Sequence, residues 1–408
     1  MAAPPDARDR MVARNTGLLA TAQVALWGAL GAVATFGPIS AFELSGRESS
    51  AAVLFGVYSL ALAAGARISG RFMDRVGRRP GLAGGYVVLG LGGVLAATSV
   101  ASATTTGLMV SAVVLGAGAG TALLGRAAVA DMYPPDRRGR AVGRLLVAGT
   151  IGAVGGPPLA GAVHSLAAGA GVENPLVAPW LLVPVLAAGA LALVLSMRPD
   201  PRELAVGGEV AAGTRRPIEI LRLRPARAAV ASIVVVQVAM VTFMSVIPVV
   251  LHSHGSSEIT VSLVISLHLA GMFAFSSLVG AALDRWGRRP GLLVGIALTS
   301  AGVLLAVPEG STILPSAGLL LIGVGWSFSY IGSTAVISDL AGPTERAGAL
   351  GLTDLVAALA AATGVLSGAA LLQVRGLLAV AIAALALLAI PIALLAARRE
   401  QVAAGRPG

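Results

Sequence analysis

Aspartate and arginine recur in one fixed arrangement: "GRFMDRVGRRPG" begins at Gly70 and "GAALDRWGRRPG" begins at Gly280, 210 residues later, in a chain with no lysine. The groups that could do chemistry in these copies are Asp74, Arg75 and Arg78 in the first, and Asp284 and Arg288 in the second. Gly70 is expected to end or tighten the apolar run before it. Asp74 then falls where a carboxylate can meet helix-terminal amides, and Gly77 permits the turn that aims Arg78 and Arg79 at headgroups or carboxylates. Arginines alone could serve only to orient a membrane protein, but an acid among them contributes nothing to orientation.

Other ionisable groups inside apolar stretches are few: Arg67, Arg126, Arg144, His268 and Asp354. A charge within a bilayer is costly and points first to function. Arg67 is close enough to an interface to snorkel, and His268 can either titrate or bridge two helices. Glu43 and Glu258 flank the ends of apolar runs, where either could enter proton exchange. Asp354 is expected to pair with Arg126 or Arg144, either as a static neutralising pair or as one that a proton can break. The chain has no cysteine and four scattered histidines, which argues against redox chemistry and a resident metal. Without lysine it cannot carry a phosphate-binding loop that ends in lysine, so no nucleotide cofactor is expected.

The elements that must position these groups are membrane helices. Of 408 residues, 56% are hydrophobic and only 12% charged, and the mean hydropathy is +0.87, too apolar for a soluble domain of this size. Twelve apolar runs of helix-spanning length are expected at 16–42, 50–70, 81–101, 107–128, 140–164, 176–196, 228–251, 259–280, 291–308, 312–336, 347–371 and 377–397. They do not alternate as barrel strands would. Assigning loops to alternate sides places 24 of the 29 arginines on one side and two, Arg47 and Arg375, on the other. That bias predicts both termini in the cytoplasm, with no cleaved signal peptide. The net charge of +10 is spread over short loops beside anionic headgroups, so no nucleic-acid partner is expected.

The halves superpose in sequence: Pro38 aligns with Pro248, Asp74 with Asp284 and Pro80 with Pro290, and further on "VADMYPPDRRGRAVG" from Val129 faces "ISDLAGPTERAGALG" from Ile337. The fold class is therefore an all-α integral membrane protein of twelve transmembrane helices in two pseudo-symmetric six-helix bundles. Its expected divisions are 1–197, a cytoplasmic connector at 198–227, and 228–408.

Twelve spans, duplicated halves and "G-x-x-x-D-R-x-G-R-R" after spans 2 and 8 resemble the major facilitator superfamily. The resemblance implies a charge relay joining Asp74 and Arg78 to Asp131, with Asp284, Arg288 and Asp339 as its counterpart. It also implies that the first aspartate docks on the start of span 11 when the protein faces outward. In span 5, "GTIGAVGGPPLAG" carries Gly152, Gly156, Pro157 and Gly161, which is similar to the antiporter motif of drug–proton exporters. Physically, such glycines allow close helix packing and the proline bends the span. One departure is that the early part of span 4, "SAVVLGAGAG" from Ser111, has serine where these exporters commonly have arginine.

By the same resemblance the substrate cavity is lined by spans 1, 4, 7 and 10. Gln23, Trp27 and Arg126 are its candidates in the first half, and Gln237, Phe243, Trp326, Phe328 and Tyr330 in the second. A mainly apolar lining with few polar groups suits a moderately hydrophobic small molecule better than a sugar. The expected activity is export of such molecules in exchange for protons, by a monomer in the cell membrane without cofactor, with proton-coupled import of a metabolite or vitamin as the alternative.

Overall fold

The computed structural model describes residues 5–205, 215–307, 312–342 and 345–404, and among these the only regular secondary structure is helical. The first half contains α1 (Pro5–Ser45), α2 (Ser49–Val76), α3 (Arg78–Ala101), α4 (Thr105–Ala122), α5 (Gly125–Met132), α6 (Pro135–Gly169) and α7 (Val177–Leu195). After the short connector helix α8 (Pro217–Leu221) come α9 (Arg224–Ser253), α10 (Glu258–Phe273), α11 (Ser276–Trp286), α12 (Arg288–Ala306), α13 (Ile313–Leu340) and α14 (Arg346–Ala404).

Eleven segments among the described residues are long and apolar enough to cross a membrane, the last being Gly348–Ala396 with 49 residues. As one straight helix that segment would measure roughly 74 Å, more than twice the ~30 Å of a hydrocarbon core. Gly376 divides it, with φ 73° and ψ −178°, so it supplies two spans and the total is twelve. Spans 4 and 8 are each built from two helices, α4 with α5 and α10 with α11. Their apolar sequences gave no sign of these breaks, at residues 123–124 and 274–275.

Span 2 does not end at Gly70. Helix α2 continues to Val76 and stops at Gly77, whose φ of 118° is open to glycine and strained for a side chain. Gly287, with φ 90°, performs the same stop between α11 and α12. The handed turn, rather than the preceding small residue, sets the boundary.

The chain forms two compact units, one of residues 1–208 with 251–266 and the other of 209–250 with 267–408. In lipid, burying a leucine brings little hydrophobic gain, so helices associate through close backbone approach and hydrogen bonds. Both devices occur in the first unit. Buried Trp180 of α7 donates from Nε1 to Ser40 Oγ of α1 at 3.0 Å, and a side chain at Gly120 of α4 would collide with the Leu62 carbonyl of α2. In the second unit the connector helix is anchored by Ile220 and Leu221, which pack with Ile337, Ala341 and Ala349.

Candidate functional site

At the arginine-rich end of the first unit, the turn at Gly77 delivers Arg78 to a carboxylate: Arg78 Nε lies 2.8 Å from Asp131 Oδ2 of α5, with the two side chains 17% and 33% exposed. A charge-assisted contact at this burial is stronger than a solvated surface pair. Arg79 Nη2 donates to the Leu195 carbonyl at the end of α7, at 2.7 Å. The carboxylate that receives the amides at the start of α3 is Asp200, which accepts from Arg78 N at 3.1 Å and Arg79 N at 2.8 Å. It thereby satisfies the unpaired donors of a helix N-terminus. Arg202 Nη1 donates to the Arg75 carbonyl at 2.9 Å, while the Arg75 side chain is exposed. The Asp74 side chain lies outside the described residues.

The second unit repeats the plan with looser contacts. Arg288 Nη1 is 2.6 Å from Asp284 Oδ1, and Arg288 Nε is 3.6 Å from Asp339 Oδ2. The two aspartates are 74% and 64% exposed, so solvent screens both interactions. Arg289 Nη2 donates to the Leu395 carbonyl, matching the bond from Arg79 to Leu195. Here the cap-like role passes to a buried acid that sequence reasoning missed. Glu345 accepts from the backbone N and Nη2 of Arg215, at 2.9 and 2.7 Å, and from Gly342 N at 3.0 Å. The hydrogen bond that Arg215 donates to Glu345 raises the Arg215 pKa above its ordinary value.

Span 5 lies against span 1 through its glycines. A side chain at Gly152 would strike the Val24 carbonyl, and one at Gly156 would meet Gly28. Pro157 sits over Gly31, where an added Cβ would come within 2.6 Å of the proline ring. Gly161 faces Ser262 and Ile259 of α10. Two candidate substrate residues belong to this same seam, since Gln23 and Trp27 of α1 border Gly149 of α6. Gln23 is buried and Trp27 half-buried.

In the second unit the aromatic candidates part company. Trp326 and Tyr330, one helical turn apart on α13, stack with ring centroids 4.8 Å apart and 11° between planes. Trp326 Nε1 donates to Gln237 Oε1 of α9, and Phe273 approaches Trp326 edge-on at 6.0 Å. Phe328 points to another face, packed with Val279 and Leu283 and stacked on Trp286 at 6.4 Å. Phe243 is fully buried. His268 donates from Nδ1 to the Leu319 carbonyl at 2.7 Å, joining α10 to α13. Of the remaining candidates, Arg126 and Arg144 are exposed and Asp354 is half-buried.

Duplicated helical units, paired arginine–carboxylate contacts and a glycine-seated, proline-containing span are the features of a membrane transporter. The sequence matches the Major Facilitator Superfamily over residues 18–254 and 229–408, and the chain belongs to that superfamily. Among its relatives is YddS, an uncharacterized MFS-type transporter of Bacillus subtilis (strain 168). The two are 32% identical over 417 residues, covering 97% of this chain and 94% of the relative. The riboflavin transporter RfnT of Brucella anthropi is 27% identical over 354 residues, covering 84% of this chain and 85% of the relative. The nucleoside transporter NupG shares the fold, with a TM-score of 0.72 at 14% identity over 95% of this chain and 98% of that one.

Proposed function

We propose that the protein exports small, moderately hydrophobic molecules in exchange for protons, by alternating access. The observation that carries this reading is the seam between α6 and α1. Pro157 interrupts the hydrogen-bond ladder of α6 where Gly31 admits its ring, and Gly152 and Gly156 hold the two helices at backbone contact. Helices joined so closely tilt together, and α1 bears Gln23 and Trp27. The moving bodies are the bundles 1–197 and 228–408, with 198–227 as the connector. The arginine bias supports motif loops and both termini on the cytoplasmic side of the cell membrane.

In this reading Trp326 and Tyr330 offer a flat apolar surface and Gln237 a polar anchor beside it. Asp354, half-buried in the second unit, carries the proton. Protonation removes a costly intramembrane charge, which favours the other state. The protein acts as a monomer.

Import of a planar metabolite is the second reading, favoured by the same aromatic stack and by the likeness to a riboflavin transporter. Purified protein in proteoliposomes distinguishes the two when ethidium and riboflavin are offered on either side under an imposed pH gradient. Export predicts ethidium movement toward the acidic compartment, and import predicts riboflavin movement away from it.

A further inference from the structure

We propose that Glu43, His164, His252 and Glu258 form a proton-binding latch that holds the arginine-poor end closed while its histidines are protonated. All four belong to the first unit, although His252 and Glu258 come from the second sequence repeat. They join four helix segments: the end of α1, the outer part of α6, the end of α9 and the start of α10. Two of the chain's four histidines are spent here.

His252 sits between two carboxylates. Its Nε2 hydrogen-bonds Glu43 Oε1 at 2.8 Å, and its Nδ1, which has no hydrogen-bond partner among the described residues, lies at ion-pair distance, 3.5 Å, from Glu258 Oε1. A positive charge on this ring would face both carboxylates at once. The second oxygen of Glu258, Oε2, is 3.4 Å from His164 Nε2, so this carboxylate bridges both histidines.

Burial adds force to the charge count. His164 is 8% exposed, His252 17% and Glu258 25%. Phe36 lies 5.5 Å from the His164 ring and Phe42 meets His252 edge-on at 6.4 Å. With both histidines protonated the four groups sum to zero, whereas loss of either proton leaves net negative charge in a half-buried site with two carboxylates around one ring. The latch is thus favoured in acid and lost as pH rises. Other ionisable groups on this side are Arg47 and Glu48 in the α1–α2 turn, Glu173 in the α6–α7 turn and His254 in the α9–α10 turn. Arg47, Glu173 and His254 are exposed, where water and salt screen them.

Behind the latch, Ser262 of α10 packs on Gly161, and Ser266 Oγ donates to the Val154 carbonyl of α6. These contacts are uncharged, so among these groups the four side chains are the part of the contact that responds to pH. Histidine is the side chain whose charge changes between about pH 5 and 8, the interval an outer surface experiences. The latch rests on the alternating-access reading but needs neither export nor proton coupling.

The absence of cysteine gives a clean test. Spin labels on Val172→Cys and Ser257→Cys, both exposed turn positions, report the separation of the two sides in nanodiscs without substrate. Pulsed EPR should show a short-distance population that dominates near about pH 5.5 and falls at least about threefold near about pH 8.5, spanning the histidine range. The His164→Gln/His252→Gln protein should lose that response. Glu258→Gln, which keeps polar contacts but removes the bridging charge, should weaken closure in acid. Identical distance distributions at both pH values in the parent, or a full pH response in either variant, would overturn the latch. Because no substrate is used, a failed export assay leaves this result standing.

Discussion

Asp200 holds the backbone amides of Arg78 and Arg79, and Arg78 in turn reaches Asp131 with its side chain at 2.8 Å. The stretch after α7 thus fixes the start of α3, and the start of α3 fixes the arginine that meets α5. Gly77 completes the arrangement, because a Cβ there would come within 2.8 Å of Asp200 Oδ2. Asp200→Ala should lower the stability of the purified protein by about 1–2 kcal/mol, the usual worth of a helix cap. Gly77→Ala should cost at least as much, since positive-φ strain of about 1–3 kcal/mol adds to the clash. Thermal unfolding in detergent measures both, and an unchanged midpoint for either would remove the cap from the account.

The two arginine–aspartate pairs differ in burial, and their variants should differ accordingly. Asp131→Asn is expected to slow transport about tenfold, equivalent to about 1.4 kcal/mol, at the lower end for a hydrogen bond to a charged group. Asp339→Asn should cost less than about threefold, as fits an exposed pair. Initial rates at matched membrane abundance test this, and equal losses would mean that the measured asymmetry of the contacts has no functional weight.

The spans were legible because lipid imposes one composition on every crossing helix. Arg78 with Asp131 was legible only through a family pattern, since 53 residues separate them. What escaped the sequence has a common cause. The breaks at 123–124 and 274–275 lie inside apolar runs and change no composition. Asp200 and Glu345 sit in polar stretches where any acid looks solvated, and their roles arise when the chain folds back onto a helix end. Likewise His252 meets Glu43 across 209 residues, beyond any local periodicity. The turn at Gly77 was legible from its glycine, but the end of span 2, expected at Gly70, runs on to Val76.

Replacing glycine at the α1–α6 seam should separate shape from stability. Gly156→Leu must push α6 off the Gly28 backbone, so reduced folding yield is expected. Pro157→Ala restores a backbone donor without adding bulk, and should reach the membrane in normal amount while losing most export. Pro158 still interrupts the ladder, so the double replacement by alanine should lose more. Normal drug efflux by the double variant at normal abundance would count against the seam as the working part.

Trp326 and Phe328 are two residues apart and should give opposite phenotypes. Phe328→Ala opens a packed cluster and should destabilise by about 3 kcal/mol, with little change in KM for the protein that folds. Trp326→Ala should raise KM or apparent Kd by about tenfold, in line with about 1–1.5 kcal/mol for aromatic stacking, and Trp326→Phe should recover much of it. Thermal midpoints and substrate titrations together decide the matter. A KM effect confined to Phe328 would reverse the assignment.

Proton exchange at Asp354 is the central claim, and vesicle pH tests it most directly. Inside-out vesicles with an acidic lumen and a pH-sensitive dye receive ethidium or tetraphenylphosphonium, first with the parent protein and then with Asp354→Asn. The account predicts that adding the cation releases lumenal protons in the parent. In Asp354→Asn it predicts that the cation equilibrates passively, with no proton release and no accumulation. Gradient-driven accumulation that survives in Asp354→Asn would contradict the account.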